Sequence, residues 1–186
     1  VDSGDGDDYV YIKGSINNSQ VLLCEGNDHL YIDSAGLQNM LNGSSILDGG
    51  ANDLIDFDRG ELGDILSLGH DPASAVSGTN ALGGISSTNT KGFETLHLDL
   101  DDGSADSLSL DKILDTLSNK GFSGDNAFKG LVLTGDEFDT VDMGSLNAAQ
   151  SGSGITLDGF DGITFERYTL DNGAETYEFF VQTGMI

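Results

Sequence analysis

One cysteine, one proline and no tryptophan stand among 186 residues, and only seven side chains are basic. A lone Cys24 excludes a disulfide within the chain and any zinc site built on paired thiolates. Its place in the apolar run Val21-Leu22-Leu23-Cys24 predicts a small, buried, apolar role. Seven Lys and Arg against 32 Asp and Glu leave a net charge of −25. Nucleic acid and anionic membrane are therefore not expected as partners, since both are held through basic patches. No apolar run is long enough to span a bilayer and no secretory leader opens the chain, so no direct membrane insertion is expected. Also missing are the nucleophile elbow Gly-x-Ser-x-Gly, the phosphate loop Gly-x-x-x-x-Gly-Lys and the dinucleotide turn Gly-x-Gly-x-x-Gly. His29, His70 and His97 form no His-Glu-x-x-His pair, and no enzyme is expected.

What is present is aspartate and glycine. Of the 32 acids, 25 are Asp, and there are 27 Gly. Glu favours helices, whereas Asp belongs in turns, caps and cation loops. A solvated acidic surface would use both, so the bias points to a hard divalent cation. Halophilic adaptation also yields acidic chains, but does not by itself place Asp at repeated turn positions. A charge of this size opposes a compact state by self-repulsion. Several Ca²⁺ ions would relieve it, which predicts metal binding coupled to folding.

Three segments align residue for residue. They are Gly4-Asp5-Gly6-Asp7-Asp8-Tyr9-Val10-Tyr11-Ile12, Cys24-Glu25-Gly26-Asn27-Asp28-His29-Leu30-Tyr31-Ile32 and Gly49-Gly50-Ala51-Asn52-Asp53-Leu54-Ile55-Asp56-Phe57. Each is a Gly/Asp/Asn turn, an Asp, and an alternating strand, the form of the glycine-rich nonapeptide whose turns bind Ca²⁺ in parallel β-rolls. Aligned on Asp8, Asp28 and Asp53, the copies put Val10, Leu30 and Ile55 in one apolar column and Ile12, Ile32 and Phe57 in another. Tyr11, Tyr31 and Asp56 fall on the opposite face. Glycine permits the unusual backbone angles that turn carbonyls toward a cation. The expected calcium ligands are Asp5, Asp8, Asp28, Asp48 and Asp53. Spacings of 20 and 25 residues, with Ala51 where the other copies have Gly, predict a shortened or decorated roll. The row Tyr9, Tyr11, His29 and Tyr31 is either a ligand platform or a surface packed under a neighbouring segment.

Residues 1–68 form the repeat-bearing half, with a short helix expected over 34–43. Residues 69–92 read as a long loop around Pro72. Residues 93–186 read as a second β-rich half. There Leu96, Leu98 and Leu100 share a face, and an acidic turn around Gly103 offers Asp101 and Asp106 as further calcium ligands. Asp136 with Asp139, and Asp158 with Asp161, are weaker candidates. Asp111 caps an expected helix ending before Gly121. Short strands follow at Leu131–Leu133, Thr140–Met143 and Ile155–Leu157, then a closing hairpin of 163–170 and 177–182 about Asn172-Gly173. The expected fold is mainly β: an irregular calcium-binding parallel β-roll or solenoid half joined to a β-rich half with one or two short helices, making one ligand-binding module.

The order Phe93-Glu94-Thr95-Leu96, Asp106-Ser107-Leu108-Ser109-Leu110, Leu131-Val132-Leu133-Thr134-Gly135-Asp136, Asp139-Thr140-Val141 and the Tyr168-to-Val181 hairpin, together with the calcium turns, resembles ligand-binding modules of giant RTX adhesins. It is most similar to the calcium-dependent peptide-binding domains that Gram-negative bacteria export by type I secretion. The resemblance implies an extracellular, cell-surface module, monomeric within a much longer chain. It would bind an exposed peptide or protein end on a host or neighbouring cell in adhesion or biofilm formation. Asp8, Asp28 and Asp53 are the positions onto which the family's calcium turns carry over. A calcium-dependent lectin-like module and a calcium-stiffened spacer are the alternatives.

Overall fold

A computed structural model describes residues 1–13, 16–33, 44–50, 55–56, 61–69, 89–98, 107–110, 130–136, 138–144, 146–171 and 176–186. Strands dominate: β1 (Tyr9–Ile12), β2 (Gln20–Leu22), β3 (His29–Asp33), β4 (Ile46–Asp48), β5 (Ile55–Asp56), β6 (Glu61–Leu62), β7 (Ile65–Gly69) and β8 (Thr90–Lys91). They continue with β9 (Thr95–Leu98), β10 (Ser107–Ser109), β11 (Gly130–Thr134), β12 (Thr140–Asp142), β13 (Ala149–Ile155), β14 (Phe165–Asp171) and β15 (Thr176–Gln182). The chain is mainly β, as expected, with almost no helix among the described residues. The helices expected over 34–43 and after Asp111 lie outside them.

An eight-stranded mixed sheet runs β1-β3-β7-β9-β11-β15-β14-β13. Its first five strands, and the β11–β15 pair, are parallel. Between successive strands of this sheet the chain visits others: β2, β4 and β8 form a separate parallel sheet, and β10 pairs in parallel with β12. The C-terminal β13–β14–β15 meander is antiparallel, with the expected closing hairpin. The strand expected at Ile155–Leu157 instead ends at Ile155 and begins at Ala149; Leu157 turns inward and is buried.

The third repeat copy is corrected. Leu30 pairs with Leu66 and Ile32 with Leu68, so β7 occupies the place next to β3. Ile55 instead pairs with Leu62 in the antiparallel β5–β6 hairpin. Both 55–57 and 65–68 alternate, so local pattern cannot choose between them. Five-residue β7 matches the five-residue β3 along its whole length, which two-residue β5 cannot.

Alternation sets two faces. Leu30, Ile32, Leu66, Leu96, Leu98, Leu133, Phe179 and Val181 face the main core, where Val21, Leu23, Leu47, Leu108 and Val141 of the smaller sheets join them. On the other face Val132, Leu157, Phe165 and Phe180 make a second cluster. Phe179 is fully buried in the main core, and Phe179→Ala is expected to lower stability by about 3–5 kcal/mol, read by urea unfolding. No helix among the described residues is long and apolar enough to cross a membrane.

Candidate metal-binding site

Four acids stand immediately before parallel strands of the large sheet: Asp8 before β1, Asp28 before β3, Asp64 before β7 and Glu94 before β9. They form a ladder. The Asp8 amide donates to Asp28 Oδ1 at 2.7 Å, the Asp28 amide to Asp64 Oδ1 at 2.7 Å, and the Asp64 amide to Glu94 Oε2 at 2.8 Å. The carboxylates of Asp28, Asp64 and Glu94 thus each receive the amide of the acid one strand back. Backbone bonds fix the register: the His29 amide donates to the Asp8 carbonyl and the Ile65 amide to the Asp28 carbonyl, both at 2.8 Å.

The ladder is deeply placed. Asp28 is 1% exposed, Asp64 0% and Glu94 5%; Asp8 is half-buried. Asp8 Oδ2 and Asp28 Oδ2 are enclosed with no hydrogen-bond partner. A buried carboxylate oxygen without a partner is costly. Burial pushes the Asp28 pKa up; the Asp8 amide partly offsets this, and the charges of Asp8 and Asp7 push it further up.

The turns above the ladder stack backbone on backbone. Gly6 donates its amide to the Glu25 carbonyl at 2.6 Å, and the Asn27 amide donates to Asp7 Oδ1 at 3.0 Å. Gly26, at φ 149°, lies so close that an added Cβ would stand 2.6 Å from the Gly6 carbonyl carbon and oxygen. Gly50 lies closer still, an added Cβ standing 1.7 Å from the Cys24 carbonyl oxygen, and Gly92 packs against the amide and carbonyl of Gly50.

Of the acids expected to bind calcium, the structure brings Asp8 and Asp28 together. Asp5 is exposed in the first turn, and Asp48 is half-buried at the end of β4, its carbonyl accepting the Leu23 amide at 2.9 Å. Asp53, Asp101 and Asp106 lie outside the described residues. Asp136 and Asp139 close a local turn, Asp139 Oδ2 taking the Asp136 amide and Asp136 Oδ1 the Phe138 amide. Asp158 and Asp161 are exposed. Cys24 is corrected: it is half-exposed at φ 79°, and its Sγ donates to Asp2 Oδ1 at 3.3 Å. That bond raises the thiol pKa above its usual value, and so does the charge of Asp2 and Asp5.

Asp64 and Glu94 escaped the alignment, although a signal for them exists. Gly6-Asp7-Asp8, Gly26-Asn27-Asp28 and Gly92-Phe93-Glu94 all place Gly two residues before the acid, and Gly63-Asp64 places it one before. Among the described residues no three His, Cys, Asp or Glu side chains converge as a ready-made metal centre. An ion at the ladder would therefore draw its remaining ligands from turn carbonyls, the mixed oxygen set Ca²⁺ accepts.

The outer face carries aromatic and hydroxyl groups. Tyr9 meets the His29 ring edge-on at 4.9 Å between centroids, and Tyr11 meets Tyr31 at 4.8 Å. His29 Nε2 shares a hydrogen bond of 2.7 Å with Ser67 Oγ, and His97 Nδ1 one of 2.5 Å with Thr134 Oγ1. Burial holds both imidazoles below their usual pKa, and the nearby His29 lowers His97 further. Ser67 is buried.

Comparison with known proteins gives no match: no family model, no curated protein and no solved structure is similar to this chain.

Proposed function

We propose that this chain is a calcium-dependent extracellular recognition module: a decorated parallel β-roll whose turns hold Ca²⁺, and which binds a peptide or protein end on a host or neighbouring cell. Two buried carboxylate oxygens without partners, Asp8 Oδ2 and Asp28 Oδ2, support it above all. Strands that alternate between two parallel sheets, with turns in backbone contact, support the winding path. The secretion route, the bacterial surface and a role in adhesion or biofilm formation follow from the resemblance to RTX adhesin modules.

Asp8 and Asp28, with carbonyls of the first two turns, are the groups that would hold an ion. When bound, it supplies a fixed positive charge and a link between neighbouring turns. The chain's part is to present oxygens: Gly6 and Gly26 adopt positive φ, freeing carbonyl directions closed to other residues. Asp64 and Glu94 hold the amides behind them. A cation exposed at such a turn makes a peptide carboxylate an acceptable ligand in a strongly acidic module. Calorimetry in calcium, with one peptide bearing a free and then an amidated C-terminus, tests this; equal affinities would overturn carboxylate capture.

Asp28→Asn separates metal binding from a purely structural ladder. Asn keeps the acceptor for the Asp8 amide and removes the buried charge. The folded pKa of Asp28 is raised, so its ionised form opposes folding. That opposition is absent below the unfolded pKa of about 3.9, grows above it, and is complete above the folded pKa. In EDTA at neutral pH Asp28→Asn is expected to unfold at a higher temperature than the parent, the gap closing as the pH falls toward 4. In calcium the order is expected to reverse. The same order in both buffers would mean that Asp28 binds no ion.

A further inference from the structure

The large sheet ends differently at its two edges. At one, β13 is interrupted by register shifts between Gln150, Gly152 and Ile155, the irregularities that keep further strands off an edge. At the other, β1 has no proline, no charged residue and no register shift, and its pairing with β3 is continuous from Tyr9 to Ile12. The Asp8 amide and carbonyl both face β3. Because successive residues point their backbone groups to opposite sides, the N–H and C=O groups of Tyr9 and Tyr11 face outward from this edge, which has no neighbouring strand among the described residues.

Side chains at this edge are also incompletely covered. Tyr9 is 65% exposed and Tyr11 51%, and Val10 and Ile12 are half-buried, whereas Leu30 and Ile32 one strand inward are fully buried. The acid ladder stops short in the same place. Asp28, Asp64 and Glu94 each receive an amide from the strand before, while the Asp8 carboxylate receives none among the described residues, and its Oδ2 is buried.

We propose that β1 is a docking edge for an extended peptide segment of a partner protein. The segment lies parallel to β1, alternates in apolar residues and carries Lys or Arg on its N-terminal flank. Strand addition of this kind takes affinity from the backbone ladder and selectivity from alternate side chains. Parallel docking continues the sense of β1, β3, β7, β9 and β11, and repeats the ladder by offering an amide to Asp8. Apolar side chains on one face would cover Val10 and Ile12, and those on the other would pack beside Tyr9 and Tyr11. The N-terminal flank of a parallel segment falls beside the turn bearing the exposed Asp5 and Asp7, which charge complementarity fits to a cation. A second copy of the chain is disfavoured as the occupant by a net charge of −25 on each molecule.

The probe is Lys-Lys-Val-Thr-Val-Thr-Val, acetylated and amidated, with a fluorophore, followed by anisotropy against the protein in calcium. Its blocked ends remove any contribution from capture of a free carboxylate, so failure here is separable from failure of the calcium reading. Saturable binding is expected. At least a tenfold loss is expected for the probe N-methylated at its central amides, for the reversed sequence, and for the version with Glu in place of Lys. Tyr11→Pro removes an outward N–H and spares the β3 ladder, so a folded Tyr11→Pro protein is expected to lose binding tenfold or more. Should that variant not fold, the N-methylated probe asks the same question with the protein unaltered. No binding by the parent, undiminished binding by a folded Tyr11→Pro protein, or undiminished binding of the N-methylated probe overturns the proposal. Equal binding of the reversed or Glu-bearing peptide overturns the parallel, cation-led docking. A concentration-dependent dimer that buries Tyr11 in sedimentation experiments would assign the edge to a second copy instead.

Discussion

EDTA is expected to lower the thermal midpoint of this protein by well over ~10 °C relative to calcium buffer. Each ion at about a hundred times its dissociation constant contributes about 2.7 kcal/mol. In a chain of this size 1 kcal/mol moves the midpoint by roughly 2–4 °C, so two or more ions carry the shift past that value. The direction has a structural source. Without an ion, Asp8 Oδ2 and Asp28 Oδ2 are buried and unpartnered, and a net charge of −25 repels itself. With ions, those oxygens acquire a partner and the turn charge falls. Differential scanning fluorimetry at fixed pH and ionic strength, with Mg²⁺ as a control for simple screening, is the measurement. A shift under ~3 °C, or an equal one from Mg²⁺, would leave the ladder as an amide-capping device and remove calcium from the proposed function.

The second large effect is expected from one methyl group. Gly50 has φ 135°, and a Cβ built on it would overlap the carbonyl oxygen of Cys24 in the turn below. Gly50→Ala therefore combines a backbone angle that L-residues rarely adopt with a clash against main chain, which no rotamer change relieves. A loss of about 3 kcal/mol or more is expected, at the top of the range for single substitutions. Gly154→Ala is the control, because it shares a positive φ of 65° with open space around the added methyl; it should cost about 1–2 kcal/mol. Chemical denaturation of both variants checks the order. Equal losses would show that the third turn relaxes away from Cys24 and that turn stacking is loose.

The two strongest repeat copies were legible because each keeps its whole signal within nine residues. Gly6 and Gly26, Asp8 and Asp28, and the columns Val10/Leu30 and Ile12/Ile32 lie in register as the alignment expects. The Asp8–Asp28 contact follows from that register. The third copy was not legible, because Asp53-Leu54-Ile55 and Asp64-Ile65-Leu66 both offer an acid followed by an alternating strand. Only pairing with β3 distinguishes them, and it selects 65–69. Glu94 was hidden for a related reason. As the first residue of an alternating stretch it reads as a strand position, and its role as a buried acceptor exists only once Asp64 lies beside it.

From the sequence alone came the properties that depend on composition and short range: a mainly β chain, alternation of inner and outer residues, glycine at tight turns, a closing hairpin, and acids placed just before strands. The tertiary structure decided which segments become neighbours, since ladder partners are 20, 36 and 30 residues apart and the intervening lengths follow no period. It also decided the burial of Asp28, Asp64 and Glu94 and the exposure of Cys24, because burial belongs to the whole stack of strands. The open edge at β1 is likewise visible only in three dimensions. Tyr9-Val10-Tyr11-Ile12 and His29-Leu30-Tyr31-Ile32 are nearly the same sequence, and what separates them is that β3 has strands on both sides while the outer side of β1 has none among the described residues.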